Sequence, residues 1–356
     1  MTKKIKKILI ITISVVASFV LACFLCVYFL FLHHYAGKGV VYNWSASDQF
    51  EIENVATVTK QKNKDFVILN LADVQMADLE DIFHYGTMKK EIAYLIETAK
   101  PDLITLTGDQ TWSNENLISL TSLVRWLDGF KIPYAPVFGN HDSGNQKDSA
   151  VLSQNACCDI YEQGKYCLFK RGPTNLGALG NYVVNIVEDN KIVKTLYMMD
   201  YGREEQLTNS QIDWFCWNAE GIKQANGGEY SEGMCFMHKP IKEFKQAYLN
   251  NPVDPNRQVI GSCYAYWYLG SSDSTDFFDQ AKMRGVTDIV CGHEHGNNFT
   301  IKYNDIRLTF ALKTGELVGY YEDEEIYLNG ATKFTISGEQ TMVESVFVPR
   351  NQFSMK

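Results

Sequence analysis

Five apolar runs in this chain each stop at a residue that can hold a metal or move a proton. "FVILNLAD" ends at Asp73, "DLITLTGD" at Asp109, and "YAPVFGNHD" at Asn140, His141 and Asp142. Further on, "GMCFMH" ends at His238 and "DIVCGHEH" at His293 and His295. Asp73, Asp109 and Asn140 lie 36 and 31 residues apart, the length of a strand-helix-strand unit. Between them "TMKKEIAYLIETAK" and "NENLISLTSLVRWLDGF" read as helices. A chain punctuated in this way is constrained to an α/β sheet, with its chemistry at the carboxyl ends of the strands. One such coincidence is common; five in order are not.

Local chemistry agrees. In an extended segment residues i and i+2 point the same way, so His293 and His295 can both face one cavity. Imidazole is the commonest metal ligand among side chains. Gly108 before Asp109, and Gly139 before Asn140 and His141, allow the backbone to approach a ligand closely. A mixed oxygen and nitrogen set of this size suits two divalent ions better than one. The remainder reads as strands at "NYVVNIVE" and "VKTLYMMD", then a helix in "TNSQIDWFCWNAEGIK" opened by Thr208 or Asn209. Helices follow in "IKEFKQAYL" and "STDFFDQAKMRG", and the tail from Thr300 reads as strands.

The N-terminus carries a separate message. From Ile8 to Leu32 there are 25 residues without a charge, enough to span a bilayer and too long for the core of a cleaved signal peptide. Lys3, Lys4, Lys6 and Lys7 precede the run, which predicts a cytoplasmic N-terminus and a catalytic part outside or in a lumen. A cleaved signal, or lipidation at Cys23, is the alternative. The expected organisation is a cytoplasmic tail (1–7), a signal anchor (8–32), a linker with a leading strand (33–64) and a catalytic domain (65–356). His33 and His34 read as interfacial. Net charge is −9, and nearer −13 once the four lysines are set aside, which argues against nucleic acid as a partner. The cluster "NACCDIYEQGKYC" could hold a disulfide in an oxidising compartment, although seven cysteines outside the span leave at least one unpaired. Asn43 and Asn298 open glycosylation sequons, and Asn298 is expected to go unused because it lies beside the site.

Taken as a set, "ADVQ", "TGDQ", "FGNHD", "FMHKP" and "CGHEH" resemble the motifs of the calcineurin-like metallophosphoesterases: D-x-H, G-D-x, G-N-H-D/E, a lone H and G-H-x-H. The resemblance covers about residues 66–315. "YCLFKRGPTNLGALGNYVVNI" and "MMDYGREEQLTNSQIDWF" are similar to the purple-acid-phosphatase-like (Dcr2-type) branch. The resemblance implies an α/β fold, the α-β-β-α sandwich of two mixed sheets, here preceded by one N-terminal transmembrane helix. It implies hydrolysis of phosphate esters with two divalent ions, drawn from Mn, Fe, Zn or Mg. Asp109 would bridge them; Asp73, Gln75 and His295 would complete one site, and Asn140, His238 and His293 the other. His141 would stay off the metals and face the phosphate, with Asp142 orienting it. The implied partner is a phosphorylated small molecule or phosphoprotein. A phosphodiesterase or nucleotide pyrophosphatase on the same fold is the alternative, as is a weakened relative that binds a phosphorylated ligand.

Two departures stand out. Where the pattern has D-x-H, this chain has Asp73-Val74-Gln75, and glutamine offers a neutral oxygen that suits hard ions such as Mg²⁺ or Mn²⁺. Where purple acid phosphatases place an iron-binding tyrosine, this chain has Trp112, which cannot ligate. His84 is a candidate substitute for the missing imidazole, against a plain surface-loop reading. Lys170, Arg171, Arg203 and Lys239 could contact phosphate, but a solvated face is the simpler expectation.

Overall fold

The computed structural model describes residues 2–29, 41–77, 85–112, 116, 118–142, 152–201, 206–249, 259–264, 269–270, 275–315, 328–350 and 352–353. The chain divides into two units, Met1–Lys38 and Gly39–Lys356. The first contains α1 (Lys3–Val27), opened by Thr2, whose hydroxyl accepts from Ile5 N at 3.4 Å. None of its residues is buried, and its 25 residues, with a mean hydropathy of 2.9 over the best window, make it long and apolar enough to cross a membrane. It starts ahead of the apolar run and takes in the lysines.

The second unit stacks two mixed sheets. Its strands are β1 (Ala56–Thr59), β2 (Phe66–Leu71), β3 (Leu103–Thr107), β4 (Tyr134–Val137), β5 (Tyr182–Glu188), β6 (Lys191–Met198) and β7 (Glu232–Phe236). They continue with β8 (Val259–Ile260), β9 (Val286–Cys291), β10 (Thr300–Tyr303), β11 (Ile306–Phe310), β12 (Gly330–Ser337) and β13 (Gln340–Phe347). One sheet runs β1-β5-β6-β7-β9-β11-β10-β8, the other β13-β12-β2-β3-β4. In the first, β6, β7, β9 and β11 are parallel; in the second, β2, β3 and β4 are. The strands that carry the motifs are therefore the parallel ones, and parallel strands bring their carboxyl ends to the same edge. Phe236 of β7 meets Phe334 of β12 across the two sheets at 6.2 Å.

Helices cover both outer faces. Against the second sheet lie α2 (Tyr85–Ala99) and α3 (Ser119–Phe130), which bury Ile92, Leu95, Leu123 and Leu127 with Leu69 and Ile104. Against the first lie α5 (Asn209–Ala225), α6 (Lys242–Leu249) and α7 (Phe277–Met283), which bury Phe215, Phe244 and Phe277 with Cys235 and Ile289. Thr208 caps α5 in a reciprocal box with Gln211, at 3.2 Å and 2.9 Å. A helix that sequence reasoning did not expect, α4 (Gln154–Glu162), occupies the cysteine cluster and is capped by Ser153. All nine cysteines are free thiols, so the disulfide considered for that cluster is not formed. Instead Cys157 is fully buried, and its thiol donates to the Asp142 carbonyl at 3.7 Å.

The segment after residue 40 is docked rather than loose. Trp44 and Phe50 pack edge-on against Trp217 of α5, at 6.0 and 5.3 Å. Trp217 Nε1 donates to the Asp48 carbonyl (3.2 Å), and Asn175 ties Trp44 from both sides (2.9 and 2.8 Å). A Cβ on Gly221 would lie 2.2 Å from Phe50 Cγ, so this helix position leaves room for the ring only as glycine.

Candidate metal centre

Local backbone sets the site. Asp73, Gln75, Asp109 and His293 all have positive φ (53°, 51°, 51° and 74°). Non-glycine residues held in that region cost free energy, and they cluster where the surrounding structure imposes them for function. The imposition is visible. Past their last ladder residues, β2 and β3 stay paired: Asp73 N donates to Gly108 O (3.2 Å), Gln75 N to Asp109 O (2.8 Å) and Met76 N to Gln110 O (2.9 Å). His293 N donates to both Asp73 oxygens at 3.0 Å, which joins the end of β9 to the end of β2 across the two sheets. A Cβ on Gly139 would lie 2.2 Å from Asp109 Oδ1, so the third motif can approach the second only through glycine.

The carboxyl ends then converge. His238 Nδ1–H donates to the Thr107 carbonyl at 2.9 Å, which fixes the tautomer because that oxygen can only accept. In the neutral ring Nε2 is then a bare lone pair. It faces Asn140 Oδ1 (2.9 Å), His293 Nδ1 (3.1 Å) and Asp109 Oδ2 (3.3 Å). On the far side His295 Nε2 lies 3.5 Å from Asp73 Oδ1. Asp109, His238 and His293 offer donor atoms that all lie within 4.8 Å of one another. Two oxygens and a second ring nitrogen crowded on His238 Nε2 favour a cation there, either a metal or a proton. Burial alone would lower the His238 imidazole, but the Asp109 carboxylate and its hydrogen bond push it up to about 9. Burial and the charge on His238 hold His293 well below the usual histidine range. Burial first, and then the Asp73 charge, push Glu294 up to about 8.

Gln75 gives an independent indication. It is 1% exposed, and neither its Oε1 nor its Nε2 has a hydrogen-bond partner. A buried amide without partners costs stability unless something else satisfies it. The residues present therefore fit a metal: a carboxylate–imidazole cluster and an amide oxygen with no other occupation.

Around the cluster, His141 N donates to Asp109 Oδ1 at 2.8 Å, and its side chain is 17% exposed. Asp142 is turned to the loop backbone and to Thr111. Its oxygens accept from Gly139 N (2.7 Å), Thr111 N (2.8 Å) and Thr111 Oγ1 (3.2 Å), so it acts on the turn that carries His141. Burial, then the Asp109 charge, pushes this carboxyl up to about 7. Asn116 Nδ2 donates to the Asp142 carbonyl at 2.9 Å. Trp112 stacks on the His141 ring at 4.3 Å and 22°, and the ring's Nε2 lies 3.9 Å from Asp109 Oδ2. Sequence reasoning saw Trp112 only as a failed ligand, and the one available signal was an aromatic three residues beyond Asp109.

Other candidates fall elsewhere. His84 and Arg203 lie outside the described residues, as do His33 and His34. Arg171 is buried on Asp159, Glu162 and Asn155, an ion pair inside the fold rather than a phosphate contact. Lys170 is exposed, and Lys239 follows His238 at the rim. Asn298 is buried and accepts from Ser262 N at 2.9 Å, whereas Asn43 is exposed.

Two facing mixed sheets with a cation-seeking cluster across their shared strand ends define a metal-binding α/β sandwich. The family model for calcineurin-like phosphoesterases matches residues 66–297, most of the second unit, and the chain belongs to that family. Over 230 residues it is 25% identical to the phosphatase DCR2 of Saccharomyces cerevisiae, covering 59% of this chain and 39% of that protein. The chain thus spans about two fifths of the length of this curated relative. Among solved structures it is similar in fold to GAP50, the anchor in the inner membrane complex of Plasmodium, with 13% identity, coverage of 81% of this chain and 86% of that one, and a TM-score of 0.50. A dimetal phosphatase from Danio rerio also matches, with 10% identity, coverage of 79% and 95%, and a TM-score of 0.48.

Proposed function

We propose that this chain is a membrane-anchored phosphoesterase that holds two divalent ions and hydrolyses phosphate esters of small molecules or phosphoproteins. The observation that carries the reading is the set of acceptors gathered on His238 Nε2, with Asp109 shared between that set and the His141 turn. Asp109 would bridge the ions. Asn140, His238 and His293 would hold one, and Asp73, Gln75 and His295 the other. Gln75 contributes a neutral oxygen to its half, which favours Mn²⁺ or Mg²⁺ over Zn²⁺ or Fe there. Ions bound at these residues supply Lewis acidity toward the phosphoryl oxygens and activation of water for attack at phosphorus. The chain's own part is positional. His141 stands at the rim, off the ligand set, where its N–H can reach a leaving oxygen. Asp142, Thr111 and Gly139 fix the turn beneath it. The apolar α1 behind Lys3, Lys4, Lys6 and Lys7 supports an anchor with a cytoplasmic N-terminus and the body on the other side.

The test is turnover of p-nitrophenyl phosphate and of bis-p-nitrophenyl phosphate, before and after exhaustive chelation, with metals counted per chain. Turnover that survives chelation sinks the metal-dependent reading. A clear preference for the diester makes this a phosphodiesterase instead. A reporter fused after Lys356 that is active only in the cytoplasm would overturn the topology.

A further inference from the structure

Resting on the phosphoesterase reading, we infer that Trp112 is a positioning residue for His141, setting the ring that delivers a proton to the leaving group. The two loops meet in register. Thr111 N and Oγ1 donate to the Asp142 carboxylate, and the neighbours of that pair, Trp112 and His141, stack at 4.3 Å with their planes 22° apart. Trp112 is itself fixed. Its N donates to Met76 O at 2.9 Å, beside the Met76–Thr111 bridge that prolongs the pairing of β2 with β3. The backbone of His141 is held separately by Asp109 Oδ1 at 2.8 Å. Its ring is 17% exposed, its Nε2 lies 3.9 Å from Asp109 Oδ2, and the indole lies face-on against it, so χ rotation of the imidazole is limited on one face by an aromatic plane. Asp142, the residue expected to orient the ring, is spent on the turn.

The step served is simple to balance. Water oxygen forms the new bond to phosphorus, and the ester P–O bond breaks with its electron pair going to the leaving oxygen. That oxygen takes the proton from the His141 N–H. The proton lost by the attacking water restores the N–H, and the products are an alcohol and phosphate. Misplacement of the ring by about 1 Å is enough to cost on the order of 10²-fold.

The test uses the full chain in detergent, loaded with Mg²⁺ or Zn²⁺. Trp112→Ala, Trp112→Phe, His141→Ala and the Trp112/His141 double variant are assayed on aryl and alkyl phosphates of rising leaving-group pKa. Trp112→Ala should lower kcat roughly 10- to 10²-fold with little change in KM. The loss should grow with leaving-group pKa, as for His141→Ala. It should vanish in the His141→Ala background, and Trp112→Phe should restore most of it. Metals per chain should not change. A KM effect that adds to His141→Ala makes Trp112 a substrate wall and overturns the inference; so does unchanged turnover in Trp112→Ala. A second readout does not need activity. In histidine-labelled protein, with the signal assigned by its loss in His141→Ala, the imidazole protons should show an upfield ring-current shift that Trp112→Ala removes. Absence of that shift in the wild-type chain refutes the stack itself. If the shift is present but no ester is turned over, the phosphoesterase reading falls and takes the catalytic part of this inference with it.

Discussion

Replacing Gln75 by methionine should make the metal-free protein more stable and the metal-loaded protein gain less. The side chain is 1% exposed, and both amide atoms lack partners. Each buried, unsatisfied polar atom costs about 1–3 kcal/mol. Gln75→Met keeps the length and approximate volume and removes both atoms, so the metal-free body should gain roughly 2–4 kcal/mol. For a body of this size that is a rise in melting temperature of roughly 3–7 °C. Saturation of one ion site at a hundred times its Kd adds about 2.7 kcal/mol. If Gln75 lends its oxygen to that ion, loss of the ligand should weaken binding by at least about tenfold, and the metal-induced gain should shrink by about 1.4 kcal/mol. The assay is a pair of thermal melts per protein, after chelation and with Mn²⁺, together with metals counted per chain. The expected result is a higher melt after chelation together with a smaller Mn²⁺-induced rise. A metal-free melt that falls, with an undiminished Mn²⁺ shift, would refute the reasoning, because the amide would then be satisfied and uninvolved.

Asp109→Asn should abolish turnover and lower metal content together, since it removes the charge shared by the acceptor set; full metal content with lost turnover would point to a different role. Metal binding should release protons, because His238 is pushed up to about 9 while no cation is bound. Its folded value lies above its ordinary one, so in the metal-free protein its protonation stabilises fully below about 6.5 and is lost as pH rises through about 9. Affinity should therefore fall by up to about tenfold per pH unit below that point, with about one proton released per chain near pH 7, measured calorimetrically in buffers of differing ionisation enthalpy. Gly221→Ala should destabilise the wild-type body although it improves helix propensity by about 1 kcal/mol, because the new Cβ would meet Phe50 Cγ at 2.2 Å. In a Phe50→Ala background the same change should stabilise by about that amount, and a gain in both backgrounds would show that Phe50 is not seated there.

The parallel strands were legible because each is an apolar run closed by a chemically distinctive residue, and their shared direction brings those residues to one edge. That is why Asp73, Asp109, Asn140, His238, His293 and His295 could be gathered from sequence alone. Helix α4 was not legible. It buries Cys157, Cys158, Ile160 and Tyr161 on a short segment whose cysteines suggested covalent chemistry instead of a helical face. The docked segment around Trp44 and Phe50 escaped for another reason: its aromatic anchors sit on α5 at irregular spacing, and irregular spacing has no period to detect. Within the site, residue type showed that Gln75 departs from the pattern, but not that its amide is left unpaired. Asp142 was read as orienting His141; its oxygens accept from Gly139 N, Thr111 N and Thr111 Oγ1. Such a bond depends on where the loops sit, and no residue identity announces it.

The two departures, Gln75 from the D-x-H motif and Trp112 from the tyrosine of purple acid phosphatases, are not scattered. Gln75 and Trp112 lie on the loops that follow β2 and β3, and those loops are paired to each other: Gln75 N on Asp109 O at 2.8 Å, Trp112 N on Met76 O at 2.9 Å. They flank Asp109 on a single strip at the end of the five-stranded sheet. The histidines contributed by the facing sheet, His238 after β7 and His293 and His295 after β9, all keep the pattern, as does Asn140 after β4. A chain losing its chemistry by unselected change would have no reason to spare these ligands while altering two neighbours on one strip. The strip touches one half of the ligand set and the stack on His141, and leaves the Asp109, His238 and His293 cluster intact. On the proposed phosphoesterase reading, the departures therefore argue for an altered setting of one of the two proposed ions and of the proposed proton donor rather than for a decayed site. Replacing an imidazole by an amide lowers the affinity demanded of that ion and favours a harder one. Tryptophan where purple acid phosphatases place a tyrosine offers no ligand but supplies a larger flat surface, which in this fold lies against His141, the motif histidine left outside the proposed ligand set.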